Sequence, residues 1–311
     1  MPQLGQRGYV AGNFALEMDG WPAGWLQSFE GGMPNTEVVM EKIGPDHLLH
    51  KHISTIKYDD LTLTFGAGMS RHFWDWIQRS FDRNYKREDG AVIAANYNFK
   101  ETSRLTFHQA LVNELSFPAL DASSRDNAKV TCKLTPEWTD FKVTPEGGAS
   151  IKPDAERDQT RQHRWSPANF RLVVDGVDCS RIFKIDAITL KQKLTDYAVG
   201  EVRDVQKEPT QIEYPNLVVT LPESHSKAWW DWYKDFVQSG NADESKERGG
   251  HLEYLNPTLD KVLFTLTFTR LGIFKATPDK AEAGSEQIRR CKFEMYCEKI
   301  DFKYGNAAVF G

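Results

Sequence analysis

The stretches "SRHFWDWIQRSF" (residues 70–81) and "SKAWWDWYKDFV" (residues 226–237) share a serine, an aspartate and two tryptophans at an offset of 156 in a chain of 311 residues. In each, the leading serine, Ser70 or Ser226, stands where an N-cap accepts from the free N–H groups of a first helical turn. Phe73, Trp76, Ile77 and Phe81 then share one face at helical spacing, as do Trp229, Trp232, Tyr233 and Val237. With Trp74 and Trp230 beside them, they predict one amphipathic packing helix in each half of the chain.

The offset extends outward from the helices. "NFALEMDG" at 13–20 recurs as "NFRLVVDG" at 169–176, and "YDDLTLTFGAGMSRHFWDW" at 58–76 lies over "YPNLVVTLPESHSKAWWDW" at 214–232 with seven identities in nineteen positions. Chance would give roughly one at average composition. Past the helix the offset grows by five, so that Leu105–Phe107 matches Leu266–Phe268 and Asp140–Lys142 matches Asp301–Lys303. The extra residues fall in "QSGNADESKERGGH", whose Gly, Asp and Lys content reads as a surface loop. A constant offset over this length means a duplicated unit.

Within each copy, Leu61, Leu63 and Phe65 alternate with threonines, and Leu217, Val219 and Leu221 repeat the alternation. Val262, Phe264, Leu266 and Phe268 do the same, as do Cys291, Phe293, Met295 and Cys297. A period of two marks strands with one buried face. The fold class expected is mainly β, with two similar antiparallel β-barrel or sandwich domains, each flanked by one α-helix that covers the sheet. The expected boundaries are 1–142 for copy one, a Pro-, Gly- and charge-rich linker at 143–167, and 168–311 for copy two.

Composition narrows the function. A net charge of −5 argues against a basic groove for nucleic acid. No run of about 18 apolar residues is present to span a bilayer, and the first residues lack the pattern of a secretory signal. Cys132, Cys179, Cys291 and Cys297 are too scattered for a disulfide framework, which leaves the cytoplasm as the expected compartment.

Sites of chemistry are few. His47, His50 and His52 in "HLLHKH" could converge on a metal, yet they lack a carboxylate or cysteine at ligand spacing and read better as a polar loop or hairpin. Cys291 and Cys297 share a strand face but stand about 20 Å apart at strand rise, as small buried apolar groups do. Asp75 and Asp231 sit beside tryptophans without a partner base or nucleophile, so a hydrogen bond on the helix surface is expected of them and not catalysis. Gly66–Gly68 lacks the spacing of a phosphate loop, and copy two replaces it with "PES". Neither a cofactor, a metal nor an enzymatic activity is expected. The tryptophans could alternatively form a sugar-stacking platform in a duplicated carbohydrate-binding module, a reading that requires exposed indoles.

Four motifs in order resemble the tail-tube protein family of contractile phage tails and related injection systems. Asp19, Gly20, Gly24 and Trp25 occupy its "DG…GF" turn, and Lys57, Tyr58, Leu61, Thr62 and Leu63 its "K…KY…TL" strand. Trp74, Asp75 and Trp76 occupy its "WDW" helix start, and Pro118, Leu120, Val130 and Leu134 its late segment. Copy two keeps Asp175, Gly176, Tyr214, Leu217, Trp230, Asp231 and Trp232 but lacks the Gly-aromatic pair.

The resemblance implies a sheet edge that joins neighbouring subunits, self-assembly into rings, and stacking of rings into a tube inside a sheath. The implied partners are neighbouring tube, sheath or baseplate proteins, with DNA or protein cargo passing through the lumen without specific binding. The implied location is a virion or phage-tail-like particle assembled in the bacterial cytoplasm. The family's typical member has one such domain and forms sixfold rings, so the duplication suggests three chains in a pseudo-sixfold ring. A linker of about 25 residues reaches beyond about 75 Å when extended, enough for an adjacent ring position. Divergence of the halves leaves both a bulk tube ring and a specialised initiator or terminator ring open.

Overall fold

The computed structural model describes residues 12–42, 44–45, 47–144, 148–151, 165–201, 204–280 and 288–309. The first half begins with β1 (Asn13–Met18), β2 (Trp21–Leu26), β3 (Ser28–Gly31), the hairpin β4 (Pro34–Glu41) and β5 (His50–Tyr58), and β6 (Leu61–Phe65). Helix α1 (Arg71–Phe81) follows, then β7 (Glu88–Ala95), the long β8 (Glu101–Phe117), β9 (Leu120–Asp121), β10 (Val130–Thr135) and β11 (Trp138–Val143). The second half runs β12 (Phe170–Val174), β13 (Lys184–Ile185), the hairpin β14 (Ile188–Tyr197) and β15 (Gln206–Glu213), β16 (Leu217–Pro222) and α2 (Lys227–Tyr233). It closes with β17 (Arg248–Leu255), β18 (Val262–Pro278) and β19 (Arg290–Tyr304).

Most of the order repeats, although β2 has no counterpart strand in the second half. The hairpin β4–β5 corresponds to β14–β15, β6 to β16, β8 to β18, and β10 with β11 to the single strand β19. The alternation seen in the sequence is the alternation of burial: Leu61, Leu63 and Phe65 are buried while the threonines between them are not, and β16 repeats the pattern. All strand pairing in the sheets is antiparallel, and the bends in β8 and β18 fall at equivalent residues, Gln109 and Arg270, both at positive φ. Irregular residues of this kind let a long strand serve two sheet faces in turn. The N-terminal part of β8 pairs with β7 and β11, and its C-terminal part with β10 and β14.

The helices differ more than their sequences suggest. Ser70 caps α1 as expected, its Oγ accepting from Phe73 N–H at 3.2 Å. Ser226 does not cap α2 through its side chain: a 3₁₀ turn at Glu223–His225 runs into the helix, and Ser226 Oγ donates to the Glu223 carbonyl at 2.7 Å instead. Beyond Tyr233 the chain widens into a π-helical turn, Lys234–Gln238. Within that turn Phe236 is buried and Val237, expected on the buried face, is exposed.

One apolar core runs through both halves without a break. Trp165, from within the 143–167 stretch, is buried against Tyr254 and Phe264 at ring distances of 5.5 and 5.8 Å. Residues 145–147 and 152–164 of that stretch lie outside the described residues. No helix among the described residues is long and apolar enough to cross a membrane.

Candidate assembly interface

The structural feature with most functional content is the joint between the halves, and three contacts build it. The hairpin β14–β15 of the second half adds to a sheet of the first, with Ile188, Thr189, Leu190 and Lys191 opposite Phe117, Ser116, Leu115 and Glu114. In return, β9 of the first half adds to the edge strand β13 of the second. The third contact is the helix: Trp74 also packs across the seam, 4.9 Å from Phe264, 6.0 Å from Phe302 and 6.4 Å from Tyr304. Its Nε1 donates to the Ala308 carbonyl at 3.1 Å, which satisfies the buried indole N–H.

The packing-helix residues therefore have distinct roles. Phe73, Trp76 and Ile77 are buried within the first half, and Trp76 Nε1 donates to the Lys86 carbonyl at 2.7 Å. Trp229 and Trp232 are buried in the second half; Trp229 Nε1 donates to the Asp178 carbonyl, and Arg248 lies over the Trp232 ring at 4.4 Å. Trp230 and Tyr233, by contrast, are only partly buried, packing on each other at 5.7 Å. Burial of Trp74, Trp76, Trp229 and Trp232 removes the faces a sugar platform would need from those four indoles.

The aspartates make helix-surface contacts. Asp75 accepts from Tyr304 Oη across the joint, and burial together with this hydrogen bond raises the tyrosine's pKa. Asp231 pairs with Lys227 one turn earlier. His50 and His52 lie on the exposed hairpin strand β5, opposite Glu41 and Val39, and His47 lies in the turn before it. Cys291 is buried, and burial pushes the partly exposed Cys297 thiol up to about 12.

The sequence reading passed over two features. One is the partner strand β14, whose alternating "ITLKQKL" was available as a signal. The other is a charged cluster at the foot of α1, where His72 Nε2 lies 3.7 Å from Asp19 Oδ2 and 3.6 Å from the buried Glu88 Oε2. Lys86 already meets the Glu88 charge at 2.8 Å, and copy two has Ala228 and Gly249 in the equivalent places, so the cluster belongs to one half only.

The family model of the T4-like virus tail tube protein gp19 matches residues 10–138. No curated protein matches. Among solved structures, the anti-feeding prophage tube-terminating cap is similar at 16% identity and a TM-score of 0.40, over 46% of this chain and 100% of that one. A chain of the PVC extracellular contractile injection system sheath-tube complex is similar at 17% identity and a TM-score of 0.40, over 45% and 95%. Hcp1 from Flavobacterium johnsoniae is similar at 14% identity and a TM-score of 0.28, over 45% and 99%. The match to the T4-like virus tail tube protein family thus lies within the first half of the chain, residues 10–138.

Proposed function

We propose that this chain supplies two consecutive subunit positions of a ring in the tube of a contractile tail or injection system, so that three chains make one pseudo-sixfold ring. The observation that carries this reading is the joint between the halves. A strand edge of one tube-like unit receives the hairpin of the next, while a helix tryptophan covers the next unit's sheet. Such a contact uses different surfaces on its two partners, and a contact of that type generates a ring when its rotation closes. Closure also covers strand edges that would otherwise template aggregation. The boundaries proposed for the two units are 1–142 and 168–311, with 143–167 as the connection.

Neighbouring tube, sheath or baseplate proteins are the proposed partners above, below and around the ring. DNA or protein cargo passes through the lumen without a specific site, the chain acts mechanically and not as an enzyme, and assembly takes place in the bacterial cytoplasm. Electron microscopy of the concentrated protein tests the reading. Six-lobed rings of constant bore are expected; dispersed monomers at every concentration, including with a tail-tube protein as template, would contradict it.

A further inference from the structure

The duplication makes the joint inside the chain a template for the joint between chains, and the two can be compared residue by residue. Trp74 is fully buried because the second half covers it, while its counterpart Trp230 is only partly buried. The residues that cover Trp74 include Phe302 and Tyr304 of β19. Their counterparts at the offset of 161 are Phe141 and Val143 of β11, which are 44% and 66% exposed. A partly exposed aromatic ring, resting on Phe293 at 5.4 Å, thus stands on the second half and an exposed apolar strand face on the first, each in the place the in-chain joint would put it.

The strand part of the joint does not carry over so well. Backbone polar groups of alternate residues point to alternate edges of a strand. Asp279 N–H donates to the Arg290 carbonyl, on the β19 side, so Pro278 and Ala276 turn their backbone groups to the free edge of β18. Likewise Asp59 N–H donates to the Met33 carbonyl, which turns Pro34 to the free edge of β4. In the in-chain joint the residues equivalent to Pro278, Ala276, Pro34 and Gly32 are Phe117, Leu115, Leu190 and Ile188, all able to donate. At the open edges Pro278 and Pro34 have no N–H, and the Gly32 N–H is taken by the Asp60 carbonyl at 3.3 Å. Of the four ladder donors, Ala276 alone is left. Proline on an edge strand is a known guard against uncontrolled pairing.

We infer that a second copy of this chain docks with its Phe141–Val143 face on Trp230 of the first, and that Pro34 and Pro278 leave this contact, and not the strand ladder, to hold the chains together. The inference rests on the ring reading above and names the surface that closes the ring. Its consequence is an association weaker than the in-chain joint, so that chains remain separable until three contacts close at once.

Sedimentation velocity of the full chain across a concentration series tests this. Trp230→Ala and, on the opposite face, Val143→Glu are expected to weaken association at least tenfold, as for an aromatic anchor and its pocket. Val143 is exposed, so its variant probes the surface without disturbing the helix. Pro34→Leu combined with Pro278→Phe, the residues of the in-chain joint, is expected to strengthen association about tenfold or more by restoring ladder donors. Association unchanged in Trp230→Ala and Val143→Glu would overturn the inference, as would failure of both the unaltered chain and the proline variant to associate at any concentration. Closed rings insensitive to Trp230 would remove this surface and leave the ring reading intact. Open chains of subunits sensitive to Trp230 would remove the ring and leave the surface.

Discussion

Trp74→Ala is the substitution that separates a shared core from two tethered domains. The indole is fully buried and contacts Phe65 and Phe73 in its own half, and Phe264, Phe302 and Tyr304 in the other. Truncating a buried tryptophan costs about 3–5 kcal/mol through lost transfer energy and the cavity left behind. The lost hydrogen bond to the Ala308 carbonyl adds about 1 kcal/mol. The sum, about 4–6 kcal/mol, falls on both halves because the rings on either side of the seam lose the same neighbour. The equivalent change Trp230→Ala removes a partly buried ring and should cost the free chain less than half as much. Urea unfolding followed by far-UV circular dichroism and tryptophan fluorescence reads both variants. A single transition, displaced strongly for Trp74→Ala and weakly for Trp230→Ala, is expected. Equal effects of the two changes, or a loss confined to one of two separate transitions, would refute the reasoning.

Three other outcomes follow from local geometry. Gly31 has φ +84° and a Cβ added there would stand 2.0 Å from the Asp60 carbonyl oxygen, so Gly31→Ala should destabilise by more than about 2 kcal/mol in the same unfolding assay. Burial, with the hydrogen bond to Glu247, pushes the Tyr296 hydroxyl up to about 12. Because the folded-state value is raised above the unfolded one, this stabilisation is fully present below about pH 10 and is lost as pH climbs from 10 to 12; melting temperatures of Tyr296→Phe against the unaltered chain should show a shallower alkaline decline. Burial also pushes the Cys179 thiol up to about 11 and that of Cys297 up to about 12, so both should resist iodoacetamide at neutral pH until the chain is unfolded, as mass spectrometry of the alkylated protein would report.

Much of this architecture was legible in the chain because duplication doubles every signal. The alternation of Leu61, Leu63 and Phe65 and its repeat at Leu217, Val219 and Leu221 mark paired strands, and the twin tryptophan stretches mark the helices. What periodicity cannot convey is which unit a residue serves. Trp74 and Trp230 occupy the same place in the same motif, yet one is sealed by the other half and the other is left partly open. The hairpins show the same split: β14–β15 joins a larger sheet, whereas β4–β5 stays a two-stranded sheet of its own with Val38, Met40 and Ile53 exposed. The π-helical turn after Tyr233 was hidden for a different reason, since a period near 3.6 does not reveal a single extra residue. The joint itself depends on contacts between residues far apart in the chain, such as Thr189 with Ser116, 73 positions away, for which local patterning carries no information.

The central claim is that one chain fills two adjacent positions of a ring. Native mass spectrometry of the ring, isolated after concentration or templated assembly, measures this directly. Three chains per six-lobed ring is the result expected; six chains per six-lobed ring, with one half of each chain excluded from the ring, would contradict it.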